Sequence, residues 1–236
     1  TMQFVSLNAD AFTIHGFVVQ GPMPPWNTPL TVVQNYDNQQ GVYQYSTAMP
    51  ACFDLRARIA TTDGPIEAAR LVPGMRLVLA DGGTAALRLT LRSTTCPALS
   101  RDGAPVRLRA GALGPGCPDR DLILSPQHRV LVPGARSLAP AKALSVLPRI
   151  GRVRNRRRID YVHLVLDRHA LILAGGVVCE SFWPGSFALR QLPPARANRV
   201  RAVMGPNPVP ARPFLTVRAA RALLRSGQLT DPLEDV

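Results

Sequence analysis

The sequence predicts an all-β domain, and three observations lead there. The 236 residues include 23 prolines and 18 glycines, too many for a helical bundle and suited to short strands joined by turns. Leu87, Leu89 and Leu91 alternate with Arg88, Thr90 and Arg92, the period-two pattern of a half-buried strand. Turn signals recur at near-regular spacing, at Asp63-Gly64, Pro73-Gly74 and Asp81-Gly82-Gly83, as they do where short strands follow one another in a sandwich or barrel.

Composition changes near residue 50. Residues 1–51 form an N-terminal segment rich in Asn, Gln, Tyr and Pro; 22–29 reads as a loop, and 40–50 as a strand stopped by Pro50. From Cys52 onward, 55–83 reads as strand, turn, short segment, turn, strand and turn. Residues 105–113 and 122–132 continue the β pattern. The short apolar stretch 141–147 suits a helical turn, and 161–178 suits two strands around a turn at Asp167-Arg168. Residues 182–213 are punctuated by proline and read as irregular. Thr216 to Gly227 then has the pattern of a helix, with a hydroxyl N-cap and a glycine at its end. The expected division is 1–51, a β domain over 52–189, and a basic, partly helical C-terminal extension over 190–236 that lies outside the core.

Several classes are disfavoured. No apolar run approaches the roughly 20 residues of a membrane-crossing helix, and the start shows no signal peptide. Cys52, Cys96, Cys117 and Cys179 are scattered without a CxxC pair, so no metal site and no cofactor is expected. The net charge of +13 is carried by arginine, with Lys142 the single lysine, and residues 1–51 contain no basic side chain. That bias reads first as a solvated arginine-rich surface; nucleic-acid binding is the lesser reading.

The chemistry rests on few residues. The histidines are His15, His128, His163 and His169, and a cysteine with a histidine is the economical set for nucleophilic catalysis. Cys52 stands at the composition break, where its thiol adjoins the Ala51 carbonyl. Attack there is an N-to-S acyl shift that turns an amide into a thioester. The departing nitrogen needs a proton, and a histidine beside it supplies one. The segment 122–132 presents His128 after a proline that interrupts strand pairing. His163 is expected to face a sheet partner or solvent, Cys96 and Cys117 to be bystanders, and Cys179 to be a buried thiol.

Taken together, 51–53, 105–114, 121–133, 138–144 and 161–182 resemble the Hint (Hedgehog/intein) domain, in particular bacterial Hint-domain proteins. The resemblance implies a horseshoe-like β domain with pseudo-two-fold halves. It places Cys52 as nucleophile and the Ala51–Cys52 bond as the scissile one. Ser125-Pro126-Gln127-His128 matches the family's Thr-x-x-His block, with His128 acting on the amide nitrogen. His169 matches a later histidine, with Asp167 as a helper. The substrate is then the chain's own N-terminal segment, cut in a single-turnover reaction. The acceptor resolving the thioester is water, a thiol, an amine or an alcohol. By resemblance alone the protein would be secreted or at the cell surface.

Two departures qualify this. Inteins end in His-Asn, whereas this chain has Cys179-Glu180-Ser181, so asparagine cyclisation and full splicing are not expected. The family start carries Gly-Thr where this chain has Arg56-Ala57, and a lost glycine can remove a positive-φ turn beside the nucleophile. A catalytically impaired Hint-fold binding or structural module is therefore the main alternative.

Overall fold

The structure, a computed structural model, describes the backbone of residues 2–9 and 12–19, and residues 51–95, 103–132, 136–154 and 156–226. The chain divides into two units, Thr1–Tyr45 and Ser46–Val236. In the first, β1 (Met2–Ala9) and β2 (Phe12–Val19) pair antiparallel from Met2↔Val19 to Ala9↔Phe12. The loop and strand expected over 22–50 lie outside the described residues, as does Gly227.

The second unit is built from short strands. They are β3 (Phe53–Asp54), β4 (Arg58–Thr61), β5 (Gly64–Glu67), β6 (Arg76–Val78), β7 (Thr84–Ala86), β8 (Leu89–Thr95) and β9 (Val106–Leu108). Then follow β10 (Leu122–Leu124), β11 (Arg129–Val132), β12 (Ser137–Pro140), β13 (Ile150–Arg152), β14 (Ile159–Val165), β15 (Leu171–Ala174) and β16 (Val177–Glu180). One sheet runs β13-β9-β10-β3-β14-β8, and the other runs β12-β11-β16-β15-β4-β6-β7 with β5 paired to β4. The fold class is all-β, as the alternating pattern predicts: Leu87, Leu89 and Leu91 are buried while Arg92 is exposed.

Two neighbours of β3 position everything that follows. Phe53 pairs with Leu124 on one side and with Val162 on the other, both antiparallel. In antiparallel register the residue before Phe53 falls beside the residue after each partner. Cys52 is therefore flanked by Ser125 and His163, brought from 73 and 111 positions away. A one-residue slip of either pairing would turn these side chains to the opposite face.

The structure departs from the sequence reading in three places. Residues 161–180 make three strands rather than two. Asp167-Arg168 links strands of different sheets, and the hairpin turn is Gly175-Gly176, with φ of +57° and +85°, values that glycine adopts without strain. Within 182–213, read as irregular, lie α1 (Ser186–Arg190) and α2 (Pro194–Met204). Two of the prolines that suggested irregular chain, Pro193 and Pro194, stand at the start of α2, where the missing N–H costs nothing.

The extension also joins the core. In α3 (Val217–Arg225), Ala220 and Leu224 belong to the main hydrophobic cluster, and Val200 and Met204 of α2 pack with Phe182 and Val165 in a second. Its arginines hid two narrow apolar stripes that face inward. The Thr216 hydroxyl caps α3, accepting from the Ala219 amide at 3.2 Å.

Candidate functional site

The Cys52 corner is fully buried. Cys52 is 0% exposed and packs with Ile159 and Tyr161. Its amide donates to Ser125 Oγ at 3.0 Å, and its carbonyl accepts from the Ser125 amide at 3.0 Å. The Ser125 side chain also hydrogen-bonds the thiol. One hydroxyl thus accepts from the nitrogen and donates to the sulfur of a single residue, both roles a serine can fill at once.

His163 holds the other side. Its Nδ1 lies 2.7 Å from the Ala51 carbonyl oxygen, and since a carbonyl only accepts, Nδ1 carries the hydrogen. Nε2 is then a bare acceptor, 3.4 Å from Cys52 Sγ. Burial pushes His163 down to about 4, against the opposing pull of the Ala51 carbonyl, so the ring is neutral near pH 7. The expectation that His163 merely faces a sheet partner or solvent is corrected: it is 2% exposed and contacts both the thiol and the carbonyl. Its role depends on the Val162↔Phe53 register, which no local pattern reveals.

His128 lies on the same loop as Ser125, with its amide donating to the Ser125 carbonyl at 3.0 Å. Its ring meets Phe53 edge-on at 4.2 Å between centroids. Neither ring nitrogen makes a well-formed hydrogen bond among the described residues, yet backbone acceptors of Cys52 and Glu180 lie close enough to favour its charged form. Burial wins, and His128 falls to about 4. The atom held against the Cys52 amide nitrogen is Ser125 Oγ. Burial likewise pushes the Cys52 thiol well up, with the Ser125 hydrogen bond opposing and the Glu180 charge assisting. Cys52 therefore rests as a neutral thiol.

A second buried cluster surrounds Glu180, which is 0% exposed. The Val130↔Cys179 pairing sets Arg129 opposite Glu180, and the Arg129 amide donates to Oε1 at 2.9 Å while its guanidinium reaches both carboxylate oxygens at 3.4 Å. His169 Nε2 donates to Oε2 at 3.2 Å, and His169 Nδ1 accepts from the Ala211 amide at 2.9 Å. Arg129 stacks on Phe214, 4.0 Å from the ring centroid. Burial alone would raise Glu180; the His169 hydrogen bond and the Arg129 charge outweigh it and hold the carboxyl below its usual range.

Cys52, Ser125 and His128 therefore gather at one corner, with His163 added to them. His169 is bonded into the Glu180 cluster. Asp167 is exposed, paired with Arg168 at 3.2 Å, and is not gathered with the others. The turn after Cys52 needs no glycine: Asp54 Oδ1 accepts from the Arg56 amide at 2.9 Å, and the Asp54 carbonyl accepts from Ala57 at 3.0 Å. Neither Arg56 nor Ala57 has a positive φ. Among the described residues, no group of His, Cys, Asp and Glu is placed to hold a metal ion, and no helix is long and apolar enough to cross a membrane.

Fold and corner together define a class: an all-β domain whose first core strand follows a cysteine held by one residue just past a later strand and one within another. The Hint domain family profile matches residues 51–186, and the chain belongs to that family. A DnaB intein from Synechocystis sp. PCC 6803 is similar over 56% of this chain and 99% of that one, at 9% identity and a TM-score of 0.40. The gp41-1 intein is similar over 55% of this chain and 97% of that one, at 12% identity and a TM-score of 0.35. The MchDnaB-1 intein is similar over 55% and 98%, at 14% identity and a TM-score of 0.38. Among curated proteins, none matches the chain.

Proposed function

We propose that the domain cleaves its own chain at the Ala51–Cys52 bond through an N-to-S acyl shift, without full splicing. The observation that carries this reading is that the reacting parts of one peptide unit are held separately. His163 touches the Ala51 oxygen and the thiol, and Ser125 touches the Cys52 nitrogen. Attack of Sγ on the Ala51 carbonyl carbon closes a five-membered ring, so the nucleophile needs no diffusion. His163 Nε2 takes the thiol proton, and Nδ1–H meets the developing oxyanion, where one such donor is worth about 10²–10³ in rate. As the S–C bond forms and the C–N bond breaks, the small protonated fraction of His128 gives its extra proton to the departing nitrogen, which Ser125 keeps in line. The resulting thioester is resolved by water, a thiol, an amine or an alcohol, releasing the segment that ends at Ala51. Asparagine cyclisation has no counterpart, because Glu180 occupies that place as a buried, ion-paired carboxylate.

The test is intact mass of the purified full chain, incubated with and without hydroxylamine or a thiol. The expected result is two fragments meeting at 51/52, accelerated by nucleophile and abolished by Cys52→Ala. An intact wild-type chain under every condition overturns the proposal. It would instead favour the impaired structural module, a reading supported by the complete burial of Cys52, which leaves an external acceptor no direct access.

A further inference from the structure

The self-cleavage scheme leaves a buried charge unused. Glu180 is fully enclosed between β11 and β15, and four donor contacts from two side chains and one backbone amide fix its carboxylate. Burying an ion this thoroughly is costly unless every oxygen is satisfied. Here the satisfying groups come from three parts of the chain: Arg129 on β11, His169 before β15, and Ala211, which orders His169 by donating to its Nδ1.

Ala211 belongs to a strap beyond the family match. The Leu138 amide donates to the Pro213 carbonyl at 2.8 Å, and the Leu215 amide donates to the Leu138 carbonyl at 2.8 Å, so 213–215 runs along β12. Phe214 on the strap covers the Arg129 guanidinium and meets the rings of His169 and Trp183 edge-on. The strap therefore fixes the His169 tautomer with its donor face toward Glu180. The Glu180 carboxylate itself is shielded from water, and a charge so shielded acts more strongly on its neighbours.

The neighbour that matters is His128. It immediately precedes Arg129, whose amide holds Glu180 Oε1 at 2.9 Å, and its ring packs against Phe53, the residue after Cys52, at 4.2 Å between centroids. The charged groups acting on it are the Glu180 carboxylate and the Arg129 guanidinium, and the His163 ring on β14, neutral near pH 7, is the other titratable side chain coupled to it. We propose that Glu180, held by His169, Arg129 and the 211–214 strap, is a positioning residue for the cleavage: its fixed negative charge lets the buried His128 carry the proton destined for the Cys52 nitrogen. This rests on the self-cleavage reading above. It assigns a purpose both to the glutamate that stands where inteins carry asparagine and to a segment outside the matched domain.

The experiment uses the full chain and two readouts. First, cleavage rates of wild type and Glu180→Gln are compared from pH 5.5 to 8. The expected result is a loss of about ten-fold or more at each pH in the variant, since losing an opposite charge held on the next residue's amide moves a buried group by about one unit or more. Lowering the pH by about one unit should restore the rate, because acid refills His128; a merely structural defect is not rescued by acid. Second, His128 ring resonances are followed by NMR in the uncleavable Cys52→Ala chain, with and without Glu180→Gln. Protonation of His128 should begin at lower pH without the carboxylate. Because Glu180→Gln can weaken folding, His169→Gln and His169→Leu form a second pair. Gln keeps a donor toward Glu180 and should stay within a few-fold of wild type, whereas Leu should lose about ten-fold with the same acid rescue. An unchanged His128 titration in a folded Glu180→Gln chain overturns the assignment, as does a rate loss that acid fails to restore. If wild type never cleaves, the self-cleavage reading fails alone, and the NMR titration still decides whether Glu180 governs His128.

Discussion

The Cys52 corner and the Glu180 cluster are both buried, yet they are built on opposite principles. At the corner the groups are neutral: a thiol raised by burial and two imidazoles lowered to about 4. Around Glu180 the groups are charged, and each carboxylate oxygen has partners. A neutral corner costs little to bury and can exchange protons in small steps. A charged cluster is worth burying only if it stays rigid. Under the proposed self-cleavage, the difference is a division of labour in which one region reacts and the other fixes the field around it.

The largest expected effect comes from breaking the charged region. Glu180→Ala leaves Arg129 without its carboxylate in a half-buried site and should cost about 3–5 kcal/mol, read from the denaturant midpoint at constant m-value. The neutral region should respond differently. His163→Phe keeps the ring volume but removes the oxyanion donor and the base, and should slow cleavage by about 10²–10³ while shifting stability much less. Equal losses of stability in the two variants would erase the distinction.

Acid attacks both regions with the same sign. His128 and His163 have folded values near 4, below the ordinary 6.5. Their contribution is complete above pH 6.5 and is lost as the pH falls toward 4, because the unfolded chain takes up protons that the folded one refuses. By the end of that fall each histidine has cost roughly 3 kcal/mol of stability. Glu180, held below its usual range, adds a further loss at lower pH. Stability should therefore be flat from pH 7 to 8 and decline steadily below about 6.5; a flat profile down to pH 5 would contradict the neutral-histidine corner. The smallest effects lie outside both regions. Thr216→Ala, which removes the cap of α3, should cost about 1 kcal/mol, and the exposed Asp167→Asn should stay within about 0.5 kcal/mol, both measurable by thermal unfolding.

Much of the fold was legible locally. Alternating leucines in 87–91 marked a strand, Thr216 marked a helix start, and the motif around Ser125 and His128 marked a loop presenting a histidine. Proline misled the reading of 194–204, because the same residue that breaks a helix interior also opens a helix. The arginines of the C-terminal segment hid the apolar stripe that Ala220 and Leu224 press into the core. Glu180 was visible only as an asparagine missing from its place.

What the sequence determined by itself was the chemical vocabulary: one cysteine at a composition break, few histidines, short alternating strands and a family motif. Tertiary structure decided which of those groups meet. Pairing of Phe53 with Leu124 and Val162 put Ser125 and His163 on either side of Cys52, and pairing of Val130 with Cys179 put Arg129 against Glu180. Such contacts join residues dozens to more than a hundred positions apart. Their specificity lies in strand register, which is chosen by burial of the whole sheet and leaves no mark on any single stretch of chain.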